Sequence, residues 1–144
     1  MEFKSFVSCL GLLLLISPMS IVSLLAPPSF AAEPMVVPIS PDGVQRAEVI
    51  VDSYSYSPDH LIVKVDVPVE LTFHSKTWLT PHNFLLKAPE EGLNINKEIP
   101  AGKTVTIKFT PTRIGKFKFY CDKKLLFFKS HEDRGMKGIL EVTE

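Results

Sequence analysis

Four side chains with metal-binding donor atoms occur in the order His82, Cys121, His131 and Met136. Two imidazoles, one thiolate and one thioether form a set of soft and borderline donors, which favours copper over magnesium or calcium. The other cysteine, Cys9, lies in an apolar N-terminal segment. In an exported chain a lone thiol invites oxidation unless it serves a purpose such as metal binding.

Each of the four residues also has an ordinary structural explanation. His82 would serve in a turn, Cys121 as buried packing, His131 as a surface histidine and Met136 as a core residue before a strand. Their joint occurrence in this order favours the metal site.

Three other groups compete as ligands. His74 alternates out of phase with Phe73 on a predicted strand, so we expect it to face solvent. His60 follows Asp59 and is interpreted as a turn residue. Glu132 or a water molecule would be able to replace a protein ligand.

The elements that must position these donors are strands. Period-two alternation, β-branched residues and short apolar runs predict strands at 44–52, 61–67, 69–74, 83–86, 104–109, 115–121 and 138–142. Proline- and glycine-containing turns separate them. The helical candidate is 123–134. This pattern predicts an all-β fold, an antiparallel β-sandwich with a short helical or irregular insertion between Cys121 and Met136.

The N-terminal region predicts export. Residues 1–32 combine Lys4, an apolar stretch at 10–25 and small residues at 29–32, which is typical of a signal peptide. An uncleaved anchor helix is the alternative, and the prolines in this segment disfavour it. We therefore expect a periplasmic or secreted protein with an extended arm or linker at 33–43 and one domain at 44–144.

Composition excludes several classes of function. Sixteen basic and sixteen acidic residues balance, so there is no overall basic excess for nucleic acid. One cysteine after the leader excludes an intrachain disulfide and a binuclear copper centre with two thiolates. No catalytic base or nucleophile is evident, so we expect a monomer that is not an enzyme.

Several motifs of the predicted domain together resemble the cupredoxin family of small exported Greek-key β-sandwiches that hold one copper ion. They are a strand with Tyr56-Ser57-Pro58, Pro81-His82-Asn83-Phe84, Pro100-Ala101-Gly102-Lys103-Thr104, 115–121 and 136–142. The resemblance implies that His82, Cys121 and His131 are equatorial ligands of one copper ion and that Met136 is a weak axial ligand. It also implies transfer of single electrons between redox partner proteins. The nine residues between Cys121 and His131 exceed the spacing of most members.

That longer loop predicts a docking surface. Leu125, Leu126, Phe127 and Phe128 form either an exposed patch or a lid that buries itself. Lys123 and Lys124 nearby would steer an acidic redox partner. Trp78 is expected either over the site or in the core.

Two other functions fit the same residues. A copper carrier or chaperone would deliver the metal rather than electrons, and a flexible loop would suit its release. A metal-free sandwich would serve as an interaction module, with the four donors incidental.

Overall fold

The computed structural model of the chain describes Met1 and residues 33–144, so the predicted signal peptide lies outside the described residues except for Met1. Within these residues, two β-sheets pack face to face around one apolar core. No helix in this part of the chain has the length and apolar character that crossing a membrane would require.

Ten strands and two short 3₁₀ helices make up the described part of the chain. The strands are β1 (Met35–Val36), β2 (Gln45–Asp52), β3 (Ser55–Ser57), β4 (His60–Lys64), β5 (Val69–Ser75), β6 (His82–Ala88), β7 (Leu93–Ile99), β8 (Thr104–Phe109), β9 (Gly115–Tyr120) and β10 (Lys137–Thr143). The 3₁₀ helices are Pro89–Glu91 and Glu132–Arg134.

One sheet has the strand order β1-β4-β10-β9-β6-β7 and the other the order β3-β2-β5-β8. The predicted all-β sandwich is confirmed. Both sheets are mixed rather than purely antiparallel, because β4 pairs in parallel with β1 and β10, and β2 pairs in parallel with β5. Alternating hydrophobicity specifies which face of a strand is buried and carries no information about the direction of its neighbour.

The core follows from the period-two patterns. In β5, Val69, Leu71 and Phe73 are buried while the residues between them are only partly covered. Phe84, Phe119 and Tyr56 join Phe73 in an aromatic cluster with ring centroids 5.0–6.4 Å apart. Such tilted and edge-on aromatic packing adds to the apolar burial that stabilises the sandwich.

Two strands were not predicted. β7 is rich in asparagine and charged residues, and β1 has two residues. The predicted strand with Tyr56-Ser57-Pro58 is β3, which ends at Ser57. Residues 33–43 were predicted to be an arm or linker, but Met35 and Val36 pair with β4 and Val37 is buried in the core. Residues 35–37 of this segment thus pack on the sheet, and residues 41–42 form a turn.

Of the two forms predicted for the insertion, helical or irregular, the irregular one is confirmed, and the helical candidate 123–134 contains only the short 3₁₀ turn at Glu132–Arg134. The insertion is otherwise irregular. Its apolar residues are consecutive rather than spaced for one helical face, so a helix here would have no apolar stripe to bury.

Candidate metal centre

Three neighbouring strands bring the predicted donors to one end of the sandwich. His82 is the first residue of β6, Cys121 directly follows β9, and Met136 directly precedes β10. In the sheet β9 lies between β10 and β6, and both pairs are antiparallel. The start of β6, the end of β9 and the start of β10 therefore meet at the same end of the sheet.

Backbone hydrogen bonds fix the segment that carries His131. The N–H of Cys121 donates to the carbonyl of Met136 at 3.1 Å, and the N–H of Met136 donates to the carbonyl of His131 at 2.9 Å. The N–H of Glu132 donates to the carbonyl of Cys121 at 3.0 Å. These bonds hold His131 beside Cys121 although ten positions separate them in the chain.

The donor atoms of three predicted ligands converge. The Nδ1 atoms of His82 and His131 lie 3.1 Å apart, and the Sγ of Cys121 lies 3.4 Å from Nδ1 of His131 and 3.9 Å from Nδ1 of His82. All three side chains are buried. Met136 is also fully buried, and its backbone is bonded to Cys121 and His131. The role of the four as ligands stays a prediction.

These separations fit a single metal ion. Bonds of about 2.0 Å to imidazole nitrogen and 2.3 Å to thiolate sulfur, at angles near 110–120°, place donor atoms about 3.3–3.7 Å apart. Two imidazole nitrogens 3.1 Å apart repel each other when both carry lone pairs, unless a proton or a cation lies between them. The donor set also matches the soft and imidazole ligands that copper prefers.

Both imidazoles favour the neutral form. Burial, and to a smaller extent the neighbouring His131, lower the pKa of His82 to about 4, while Asp52 acts in the opposite direction. Burial also lowers the pKa of His131, assisted by the positive charges of Arg134 and Lys123. A neutral imidazole is the form that binds a metal, so both histidines are ready to act as ligands at neutral pH.

Burial shifts the pKa of the Cys121 thiol in the opposite direction. It raises the pKa of Cys121, while backbone N–H groups of Asn83 and Lys123 directed at the sulfur favour the thiolate. A metal ion bound here must displace the thiol proton, so metal binding is expected to weaken as the pH falls.

Asn83 joins β6 to the end of β9. Its side-chain amide donates to the carboxylate of Asp122 at 2.9 Å, and its side-chain oxygen accepts from the backbone N–H of Asp122 at 3.2 Å. Its backbone carbonyl accepts a hydrogen bond from the hydroxyl of Tyr56. Asn83 follows His82 in the chain and is hydrogen-bonded to Asp122, which follows Cys121. It therefore positions both His82 and Cys121.

Tyr54 and Arg134 cover the outer edge of His131. The Tyr54 ring meets His131 edge-on with centroids 5.1 Å apart, and the Arg134 guanidinium lies 4.6 Å from the Tyr54 centroid. A cleft of about 230 Å³ opens here, lined by Tyr54, Thr80, Leu125, Phe128, Lys129, His131 and Arg134. Sequence reasoning missed Tyr54 and Arg134, because no local pattern links them to His131.

The exposure of the loop side chains decides between the exposed patch and the lid that were predicted for residues 125–128. Leu125, Leu126, Phe127 and Phe128 are all exposed, so the self-burying lid is wrong. Trp78 is exposed as well and packs neither over the site nor in the core. Lys123 pairs with Glu98 at 2.7 Å, and Lys124 is exposed.

The three residues that were considered as competing ligands make contacts elsewhere. Glu132 forms an ion pair with Lys118 at 2.7 Å. His74 projects from β5, partly exposed, with Nδ1 3.1 Å from the hydroxyl of Thr104. His60 opens β4 rather than lying in a turn, and its Nε2 is 2.9 Å from a carboxylate oxygen of Glu141. None of the three belongs to the donor cluster found among the described residues.

A family model described as a cupredoxin-like domain matches residues 20–136, which is most of the chain. The chain belongs to the cupredoxin-like family. The resemblance inferred from the motifs is thereby confirmed, and no curated protein matches this cupredoxin.

Solved structures share the fold of this cupredoxin. One is the metal-binding domain of the Streptococcus pneumoniae D39 Cu(I)-exporting P-type ATPase CopA with Cu(I), at 24% identity and a TM-score of 0.57, covering 80% of this chain and 100% of that one. Another is auracyanin B, at 18% identity and a TM-score of 0.53, covering 80% and 94%. A third is auracyanin from Roseiflexus castenholzii, at 19% identity and a TM-score of 0.56, covering 69% and 97%. At these identities the likeness establishes the fold.

Proposed function

We propose that this cupredoxin is an exported protein that binds one copper ion and carries single electrons between redox partner proteins. The observation that carries the proposal is the convergence of His82 Nδ1, Cys121 Sγ and His131 Nδ1 at a buried end of the sandwich. These residues would hold the ion, with Met136 as a weak fourth ligand. When bound, copper supplies the Cu(II)/Cu(I) couple.

The protein residues contribute rigidity and exclusion of water. Backbone bonds among Cys121, His131 and Met136 hold the ligand loop, and Asn83 clasps the chain next to Cys121. Donor atoms held in one arrangement minimise the rearrangement that accompanies a change of charge. N–H groups directed at the Cys121 sulfur stabilise the thiolate, and such bonds tune the potential of a site.

The His131 edge is the proposed route for electrons. His82 and Cys121 are fully buried, whereas His131 lines the cleft at the surface and keeps a small exposed edge. A redox partner would therefore approach most closely at His131.

Spectroscopy of the copper-loaded chain tests the proposal. We expect one copper ion per chain, an intense thiolate charge-transfer band in the visible spectrum and a narrowed copper hyperfine pattern in electron paramagnetic resonance. Reversible reduction without loss of copper is also expected. A colourless protein with loosely bound copper would overturn the assignment.

Copper delivery is the second candidate, because the fold is shared with the metal-binding domain of a Cu(I)-exporting ATPase. The two functions differ in how readily copper leaves. Rapid transfer of Cu(I) to a chelator on the timescale of electron exchange would favour delivery, and retention through many redox cycles would favour electron transfer. A variant with Cys121→Ser that changes neither metal content nor colour would instead support the metal-free module.

A further inference from the structure

Two loops at the metal end of the sandwich expose six large apolar side chains. Exposed fractions are 93% for Trp78, 86% for Leu79, 67% for Leu125, 75% for Leu126, 100% for Phe127 and 58% for Phe128. Folded domains rarely leave so many large apolar groups together in water unless the surface meets another phase or a partner.

The two loops border the same cleft. Thr80, which directly follows Leu79, lines that cleft together with Leu125 and Phe128. A hydrogen bond from the Thr77 hydroxyl to the carbonyl of Thr80 holds the first loop in a turn, and the N–H of Phe128 donates to the carbonyl of Leu125 in the second. The apolar side chains therefore project from two fixed turns. We call residues 76–81 and 123–130 together the apolar–basic tip.

The charges of the tip have one sign. Its two segments, KTWLTP and KKLLFFKS, contain four lysines and no aspartate or glutamate. Lys123 pairs with Glu98, whereas Lys76, Lys124 and Lys129 form no ion pair among the described residues.

Three carboxylates outside the tip lie near it: Glu98 pairs with Lys123, Asp122 directly precedes Lys123 in the chain, and Asp133 contacts Ser130. Asp133 accepts hydrogen bonds from the backbone N–H and the hydroxyl of Ser130. These hydrogen bonds, and to a smaller extent the positive charges of Lys124 and Lys129, lower the pKa of Asp133. Asp133, like Glu98 and Asp122, thus offsets part of the lysine charge, and the four lysines of the tip still outnumber these three carboxylates.

We propose that the apolar–basic tip docks on the surface of an anionic lipid bilayer. Leucine and phenylalanine side chains flanked by lysines suit the boundary between acyl chains and headgroups, and tryptophan is enriched at that depth. Lysines near the surface add attraction to anionic headgroups. Exposed apolar side chains on two separate loops suit a fluid phase. Docking in this way would bring the cleft beside His131 towards the membrane.

Trp78 provides a local reporter because it is the only tryptophan in the chain. The full chain, without copper, is mixed with vesicles of phosphatidylcholine alone or with added phosphatidylglycerol. We expect a blue shift of the Trp78 emission, and quenching by brominated lipid, with the phosphatidylglycerol vesicles and a much weaker effect without them. Attachment through residues 1–32 alone would leave the Trp78 emission unchanged, so the reporter separates the tip from the leader.

Surface variants sharpen the test. The affinity for phosphatidylglycerol vesicles, measured by the emission shift, should fall by more than about tenfold in Phe127→Asp. In Lys124→Gln it should fall by about fivefold. The control is Ile114→Asp, which changes an exposed apolar residue beside the opposite end of β9 and should bind like the parent chain.

Three outcomes would overturn the proposal. They are an unshifted Trp78 emission with phosphatidylglycerol vesicles, equal binding of Phe127→Asp and the parent, and equal losses in Phe127→Asp and Ile114→Asp. If the parent chain gives no fluorescence change with lipid and Phe127→Asp slows its electron exchange with a redox protein, the tip docks on a protein partner instead. Since the fluorescence is measured without copper, its failure would leave the proposed electron transfer untouched.

Discussion

The backbone N–H of His131 donates a hydrogen bond to the carbonyl of Lys123 at 2.8 Å, and this bond closes the long loop at its base. Residues 124–130 therefore leave and re-enter the domain at one point. The extra length between Cys121 and His131 is accommodated outside the donor cluster, which explains how the unusual spacing coexists with converging donor atoms.

Shortening the loop should preserve the metal centre. Replacing residues 124–130 by two glycines would turn the Lys123–His131 hydrogen bond into the closing bond of a four-residue β-turn. We expect copper stoichiometry and the visible spectrum of the shortened chain to match those of the parent. Loss of the charge-transfer band in a folded variant would show that the loop itself shapes the site.

Removing single donors should separate ligands from bystanders. Loss of a hydrogen-bonding partner of a ligand already costs 10–100-fold in metal affinity, so His131→Ala should weaken copper binding by more than about 100-fold. His74→Ala is the matched control, since His74 lies outside the cluster, and should bind like the parent. Cys121→Ser should remove the visible colour without unfolding the sandwich. Competition with a chelator measures these affinities, and equal effects of the two histidine variants would refute the ligand assignment.

The free energy of unfolding of the metal-free protein should depend on pH through His82. The pKa of this residue is 6.5 in a model peptide and about 4 in the folded protein, chiefly because of burial. The unfolded chain therefore takes up a proton first as the pH falls. Stability should be constant above about pH 6.5 as far as this group is concerned. It should decrease between the two pKa values by at most about 1.4 kcal/mol per pH unit, and level off below pH 4.

Urea titrations of the metal-free chain across this pH range measure that dependence. His131 shifts in the same direction and adds to the slope. In His82→Gln the part of the slope due to His82 should vanish. A variant with the slope of the parent would mean that His82 is as easily protonated in the fold as in the unfolded chain.

Asn83→Ala should destabilise the domain. The substitution removes both side-chain hydrogen bonds to Asp122, one of them to a carboxylate, and we expect a loss of about 2–4 kcal/mol in the free energy of unfolding. Asn96→Ala is the control, because Asn96 is exposed and accepts only a long 3.4 Å contact from Asn83. Its expected effect is below about 0.5 kcal/mol. Denaturant titrations of the metal-free chain measure both losses. Similar losses for the two variants would contradict a stabilising role of the Asn83–Asp122 hydrogen bonds.

β5 is the clearest of the strands that were recognised in advance. Val69–Ser75 alternates between buried and partly covered residues along its whole length, and the core face is apolar. This period-two pattern is a local consequence of the pleat, so it is readable without knowledge of the neighbours. β7 lacks it, because Asn94, Asn96, Lys97 and Glu98 occupy exposed positions and leave Leu93 and Ile99 as its fully buried residues. Its strand conformation depends on pairing along all seven residues with β6.

The types and order of the four donors were determined by the sequence alone, and with them the preference for a soft metal. The convergence of His82, Cys121 and His131 was decided by tertiary structure, because pairing of β6, β9 and β10 brings together residues 39–49 positions apart in the chain. The edge-on contact of Tyr54 with His131 depends on tertiary packing in the same way. The exposure of Phe127 likewise followed from the closed base of the loop, since an apolar side chain is buried only where another element lies within reach to cover it.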